Sequence, residues 1–323
     1  MKPLDGQVAL VAGATRGAGR GIARALGEAG ALVYCTGRST RGNPSPYARP
    51  ETIEETAEMI EREGGRAVAV RVDHTDESAV QALVERIDRD HRRLDLLVNC
   101  VAGEDPMMRQ WGSFWTTDLA NGEAVFRQAI LSHIITAKHV APLMIRARRG
   151  LIVEVTEGDT LSAGANPLTQ TVKLALKGQA LHMAAELHQH GVAAIAIVPG
   201  FLRSESMLEH FGVTEATWRD GGKKDPNFLA SESPLFVGRA IAALAQDSNV
   251  LERTGQVCSS RELAREYQFT DYDGSRPDWG AHVIDWSAFP PPFIQMFRDG
   301  AAQQVAWLKM LSDRAEAFQR RIP

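Results

Sequence analysis

Between Gln7 and about Val257 the chain repeats one pattern: a short apolar, β-branched run, then a longer stretch whose apolar residues recur at helical spacing. Parallel strands need a crossover of about a dozen residues or more, usually a helix, so the alternation confines the chain to a mainly parallel sheet covered on both faces. Strands are predicted at Val8–Val11, Leu32–Thr36, Ala67–Val72, Leu94–Asn99, Leu151–Thr156, Ala193–Val198 and near Gln256–Cys258. Helices are predicted over Arg20–Ala29, Pro50–Glu63, Glu77–Asp90, Glu123–Arg148, Leu168–His190 and Leu235–Gln246. The expected fold is α/β, a doubly wound parallel sheet of about seven strands.

Two segments break the rhythm, Glu104–Asn121 after the fourth strand and Ser204–Ser233 after the sixth. Both follow the carboxyl ends of strands, where open α/β sheets bind their ligands, so both are candidate substrate walls. From Pro277 the pattern stops. Trp279, Trp286 and Pro290-Pro291-Pro292 lead into an amphipathic stretch from about Gly300 to Arg320. We therefore divide the chain into a domain over 1–276 and a helical C-terminal extension over 277–323, expected to pack on that domain or on a neighbouring subunit.

A chain of 323 residues, 44% hydrophobic and 24% charged, can bury a sizeable core. Its net charge of −4 is dispersed, which leaves no basic footprint for nucleic acid and favours small-molecule chemistry. No basic-then-apolar leader opens the sequence, and no apolar run approaches the roughly 20 residues that cross a bilayer, so a cytoplasmic location away from membranes is expected. Cys35, Cys100 and Cys258 sit in or beside apolar strand-like runs with no metal spacing and read as buried, reduced thiols. His182, His188 and His190 also lack metal spacing, and no metal site is expected.

The first strand runs into Gly13-Ala14-Thr15-Arg16-Gly17-Ala18-Gly19 and then a helix. Glycines at this turn let the backbone approach a pyrophosphate while the helix N-terminus offers unpaired N–H groups, the arrangement of a Rossmann-type dinucleotide site. The second strand ends Thr36-Gly37-Arg38, with no carboxylate for adenosine ribose hydroxyls. Arg38, helped by Arg16, can instead pair with a 2′-phosphate, so NADP(H) is favoured over NAD(H).

These marks, in this order, resemble the short-chain dehydrogenase/reductase family over roughly Leu4 to Pro277. Gly13, Gly17 and Gly19, with Thr15 and Arg16 between them, match its glycine-rich turn. Asp73 matches its adenine-contacting aspartate. Asn99-Cys100-Val101-Ala102-Gly103 is similar to its Asn-Asn-Ala-Gly turn, loosened by one residue. Pro199-Gly200 matches the turn before its nicotinamide contacts, by likeness Leu202 and Ser204. The resemblance implies an NADP-dependent oxidoreductase and a homodimer or homotetramer built on the helices over Glu123–Arg148 and Leu168–His190.

At the family's proton-handling positions the chain departs from it. The resemblance puts Lys173 at the catalytic lysine, Thr169 at the tyrosine, Glu157 at the serine and Ala129 at the asparagine, so one of four is kept. Thr169 is a poor acid, because an alkyl hydroxyl has no useful charge state near neutral pH. An ionised Glu157 would oppose an oxyanion and favour a cationic acceptor, or serve as the acid itself. It is equally able to cap a loop or pair with Lys173. Glu154 is expected to point to the opposite face of its strand as a structural residue. His133, one turn after Ala129, is a candidate relay or acid, or a packed histidine. Glu104 and Asp105 would add charge to the rim or lie solvated. Trp111, Phe114, Trp115, Phe201 and Trp218 would stack on a bulky or aromatic amine, imine or carbonyl substrate, or on one another.

The sequence thus predicts an NADPH-dependent reductase acting on a cyclic imine or iminium. The alternatives are a carbonyl reductase taking its proton from Glu157, His133 or water, a non-catalytic NADP(H)-binding protein, and isomerase or lyase chemistry on the same fold.

Overall fold

The computed structural model describes residues 2–45, 49–102, 114–116, 118–158 and 167–282. Residues 283–323 of the extension, Trp286 among them, and Gly103, Glu104, Asp105 and Trp111 lie outside the described residues.

Seven parallel strands form one sheet in the order β3-β2-β1-β4-β5-β6-β7. They are β1 Val8–Ala12, β2 Leu32–Gly37, β3 Arg66–Arg71, β4 Leu96–Asn99, β5 Gly150–Val155, β6 Val192–Val198 and β7 Val257–Ser259. Apart from the exposed ends of β3 and β7, these strands are mostly apolar, as strands covered on both faces must be, with Thr36, Asn99 and Glu154 as buried polar exceptions near strand ends. Chain order reverses between β1 and β4, which opens a crevice at the carboxyl ends of the strands.

One face is covered by α1 Gly17–Glu28, α2 Ile53–Arg62, α8 Pro234–Gln246 and α9 Ser260–Tyr267, whose Ile22, Leu26, Ile60, Val237, Ile241 and Leu263 pack on Val11, Val33, Val98 and Ile195. The other is covered by α3 Glu77–His91, α5 Ser132–Ala147 and α6 Pro167–Leu187, with Ile87, Val140, Met144 and Leu187 against Leu10, Leu97, Ile152 and Ala194. Caps fix the helix starts: Thr52 accepts from Glu55 N–H, and Asp76 accepts from Ser78 and Ala79 N–H.

The predicted helix over Glu123–Arg148 is interrupted. A first helix, α4 Leu119–Phe126, passes through a π-helical turn, Arg127–Leu131, before α5 begins. The apolar pattern continues across that turn, so periodicity does not disclose the extra residue. The segment Ser204–Ser233 holds a short helix, α7 Glu205–Phe211, and two 3-10 turns. No described helix is long and apolar enough to cross a membrane, and the described residues contain no metal-holding cluster of three or more His, Cys, Asp or Glu.

Candidate active site

The crevice begins at the turn from β1 into α1. Gly13 and Ala14 N–H donate to the Thr36 carbonyl, folding the turn over β2. Gly13 has φ +91°, and a side chain there would lie 2.5 Å from the Cys100 carbonyl oxygen. One on Gly19 would lie 2.1 Å from the Gly13 oxygen. Only glycine permits these approaches. The cleft beside the turn is lined by Thr15, Arg16, Arg38, Ser39, Ser45, Asp73 and the loop Cys100–Ala102. Close backbone, two guanidinium groups and several hydroxyls suit the phosphates of a dinucleotide, and Asp73 is the only carboxylate among these lining residues.

Arg38 donates to Gln128 Oε1 at 3.0 Å and lies 3.9 Å from Asp73. Burial raises the Asp73 pKa, but the Thr75 N–H and hydroxyl, helped by Arg38, more than offset it and hold the carboxyl below its usual range. Gln128 Nε2 donates to the Ala102 carbonyl at 2.6 Å, tying Arg38 to the loop after β4. Sequence reasoning passed over Ser39, Ser45 and Gln128. Ser39 was legible as the hydroxyl following Arg38, whereas Gln128 reaches the cleft only through the π-helical turn.

At the other end of the crevice, Thr169 and Lys173 stand one turn apart on α6, both largely buried. The Lys173 ammonium lies 3.2 Å from Glu157 Oε1, and the Glu157 side chain is 60% exposed. Thr156 Oγ1 donates to the Lys173 carbonyl, fixing α6 against the end of β5. The structure thus brings Glu157, Thr169 and Lys173 together. No described tyrosine joins them: the hydroxyls of Tyr34, Tyr267 and Tyr272 bond to His91, Asp247 and the Glu215 carbonyl, and Tyr47 lies outside the described residues.

Glu154 is structural, as its place on the strand predicts, and His133 takes the packed arrangement offered as the alternative to a relay or acid. Glu154 shares the face of Ile152, as the pleat requires, but α5 covers that face, and the carboxylate meets His133 Nδ1 at 2.5 Å. Glu154 is 0% and His133 1% exposed. His133 Nε2 lies 3.0 Å from the Val101 carbonyl, so both ring nitrogens are engaged and neither faces an open space as a relay or acid would. Asn99 is also fully buried and donates to Glu154 Oε1 at 2.8 Å, which makes it a strut beneath the cleft. Cys100 lies nearby, its thiol pushed up to about 12 by burial, against the partial opposition of Lys173.

Pro199-Gly200 turns at the end of β6. Gly200 N–H donates to Glu232 Oε2 at 2.9 Å, Ser260 donates to the same oxygen at 2.7 Å, and Leu202 bridges to Glu232 through the backbone. Glu232 is 1% exposed, and burial pushes its carboxyl up to about 7. Sequence reasoning missed it, because nothing in Ser231-Glu232-Ser233 marks a buried acid. Ser204 is the N-cap residue of α7, and the next residue, Glu205, accepts from Gly17 N–H at 2.8 Å. Of the aromatics foreseen as substrate contacts, Phe201 packs edge-on against Phe228 and Trp279, and buried Trp218 lies between Arg203 and Arg219. Trp115 is 74% exposed.

An open parallel sheet with a glycine turn and a cationic cleft at its switch point defines a dinucleotide-binding α/β protein. Residues 7–212 match the sequence profile of the short chain dehydrogenase family. The chain is 37% identical over 277 residues to the dehydrogenase/reductase SDR family member 1 of Mus musculus, an alignment covering 84% of this chain and 85% of that one. It is 29% identical over 266 residues to the oxidoreductase UcpA of Salmonella typhimurium, covering 77% of this chain and 91% of that protein. A short-chain dehydrogenase structure from Mycobacterium thermoresistibile superposes with a TM-score of 0.71 at 22% identity, covering 90% of this chain and 99% of that one. The chain belongs to the short-chain dehydrogenase family of oxidoreductases, which bind NAD(P) and act on small molecules.

Proposed function

We propose that the protein is an NADPH-dependent reductase whose acceptor is a C=N bond, most simply a cyclic imine or its protonated iminium. The observation that carries this reading is the Lys173–Glu157 pair, a carboxylate beside the family's lysine where a phenol is absent. Bound NADPH supplies the hydride. Arg16, Arg38, Thr15 and Ser39 hold its adenosine end, and the preference for the phosphorylated cofactor rests on the two arginines and on the missing acid after β2. Asp73, Gly13, Gly17, Gly19 and the loop beyond Asn99 shape the cleft. Pro199, Gly200, Leu202 and Ser204 form the turn over the nicotinamide.

Lys173 holds the ribose in this reading, while Glu157 stays at the mouth of the site. A carboxylate there raises the basicity of an imine nitrogen and stabilises the iminium, whereas it opposes the charge that grows on a carbonyl oxygen. No phenol is then needed at the moment of hydride transfer. Thr169, buried one turn before Lys173, shapes the pocket and moves no proton.

The cofactor part is tested by titrating the protein with NADPH and NADH and following intrinsic fluorescence. The reading predicts tighter binding of NADPH by about 10-fold or more, and equal affinities would remove it. Leu131 and Ile134, 45% and 46% exposed, and Leu174 and Leu181, 43% and 55% exposed, present apolar surface on the helical face predicted to pair subunits. We infer a homo-oligomer there, and sedimentation at the mass of a single chain would contradict it.

A further inference from the structure

We propose that Glu154 is a positioning residue for the cofactor cleft, acting through His133 on the Val101 carbonyl. A carboxylate near the carboxyl end of an interior strand is costly to bury, by several kcal/mol when unpaired, and the face of β5 that Glu154 shares with Ile152 is otherwise apolar. What offsets the cost is specific. Oε2 meets His133 Nδ1 at 2.5 Å and Oε1 accepts from Asn99 Nδ2 at 2.8 Å.

The Val101 carbonyl can only accept, so the His133 nitrogen 3.0 Å away carries a hydrogen and points it at the loop. The remaining proton lies between Nδ1 and Oε2. That proton joins Nδ1 to the carboxyl while the Nε2 hydrogen stays directed at the Val101 carbonyl, so the carboxyl fixes the plane of the ring. His133 is thus oriented from below by Glu154 and holds a backbone oxygen above.

The π-helical turn makes the grip double. It brings Gln128 and His133 to the same loop, where Gln128 holds the Ala102 carbonyl and His133 holds the Val101 carbonyl. That loop lines the cleft, and its Cys100 carbonyl is the atom that a side chain on Gly13 would strike at 2.5 Å. Movement of the loop therefore moves the wall facing the glycine turn. Extra residues in a helix at a functional site commonly re-aim side chains in this way.

The inference rests on the reading that the cleft holds NADPH, and the experiment separates the two. NADPH affinity and melting temperature are measured for the unaltered protein, Glu154→Gln, Glu154→Val, and the double variant Glu154→Val/His133→Leu. Glutamine still accepts from Asn99 and donates to Nδ1, so Glu154→Gln keeps affinity within about 2-fold. The double variant replaces the pair with apolar groups of similar volume, which buried ion pairs commonly tolerate. It keeps the fold but loses the grip on Val101, and its NADPH affinity falls by about 10-fold. Unchanged affinity in a folded double variant would overturn the role of Glu154 while leaving the cofactor reading intact. Loss in Glu154→Gln equal to that in the double variant would also overturn it. Absence of NADPH binding by the unaltered protein would overturn both.

Discussion

The ammonium of Lys173 and the carboxylate of Glu157 lie 3.2 Å apart, the lysine side chain 10% and the glutamate side chain 60% exposed. Water reaches the carboxylate side of the pair and screens it, so the pair is worth roughly 0–1 kcal/mol, and in the proposed reading a ribose hydroxyl draws Lys173 away at little cost. Glu157 then stays beside the acceptor with its charge available. In the proposed reading the two groups separate once a cofactor is bound.

Replacing Lys173 with methionine keeps the length of the side chain and removes the charge. It is expected to weaken NADPH binding and to lower kcat/KM by about 100-fold. Parallel titrations and initial rates check this, and a variant with unaltered rates would take Lys173 out of the site.

Arg38 is the residue on which cofactor choice turns. Arg38→Ala is expected to reduce the preference for NADPH over NADH by about 10-fold or more, the size of one charge-assisted hydrogen bond. Affinity for NADH should hold steady or improve as Gln128 and Asp73 are released. An unchanged ratio of the two dissociation constants would show that Arg38 belongs to the Gln128 contact alone.

The sheet, the glycine turn and the cationic end of β2 were readable in the sequence because each depends on local pattern: period, glycine spacing, a basic residue at a strand end. Lys173 and Thr169 were placed by the resemblance to the family, and the structure sets them one turn apart on α6. Glu154 was readable as a structural residue from the pleat, but its partner was not, because His133 lies 21 positions away on another element and the strand pattern does not say which helix covers which face. Glu232 and Gln128 were missed for the same reason: burial of an acid at Gly200 and a π-helical turn arise from tertiary packing.

Glu232 carries a signature in pH. Its carboxyl titrates near 7 in the folded protein against an ordinary value of 4.5, so between these values the folded state holds a proton that the unfolded state has released. Its contribution to stability is complete below pH 4.5 and is lost as pH rises through about 7. Arg203, Asp271 and Ser260 face it, and Ser260 and Gly200 N–H lessen the shift without cancelling it. His74, depressed to about 3 by burial, acts in the opposite sense and loses stability as pH falls. Comparing Glu232→Gln with the unaltered protein isolates Glu232. The variant should gain in relative melting temperature as pH rises from 5 to 8, and parallel curves would refute the assignment.

Gly13→Ala tests the glycine turn. The added methyl meets the Cys100 carbonyl at a backbone angle of +91°, so the turn or the opposing loop must shift. NADPH affinity should fall by about 100-fold or more in a protein whose circular dichroism is unchanged. Retained affinity would place the dinucleotide elsewhere.

In the proposed function, Glu157 serves hydride transfer to a C=N bond. The most direct test of this is kcat/KM with NADPH for a cyclic imine and the matched cyclic ketone, in the unaltered protein and in Glu157→Gln. The account predicts turnover of the imine in preference to the ketone, and a loss of about 10-fold to 100-fold on the imine when the carboxylate becomes an amide. Imine turnover unchanged in Glu157→Gln, or no turnover of either compound by a protein that binds NADPH, would contradict it.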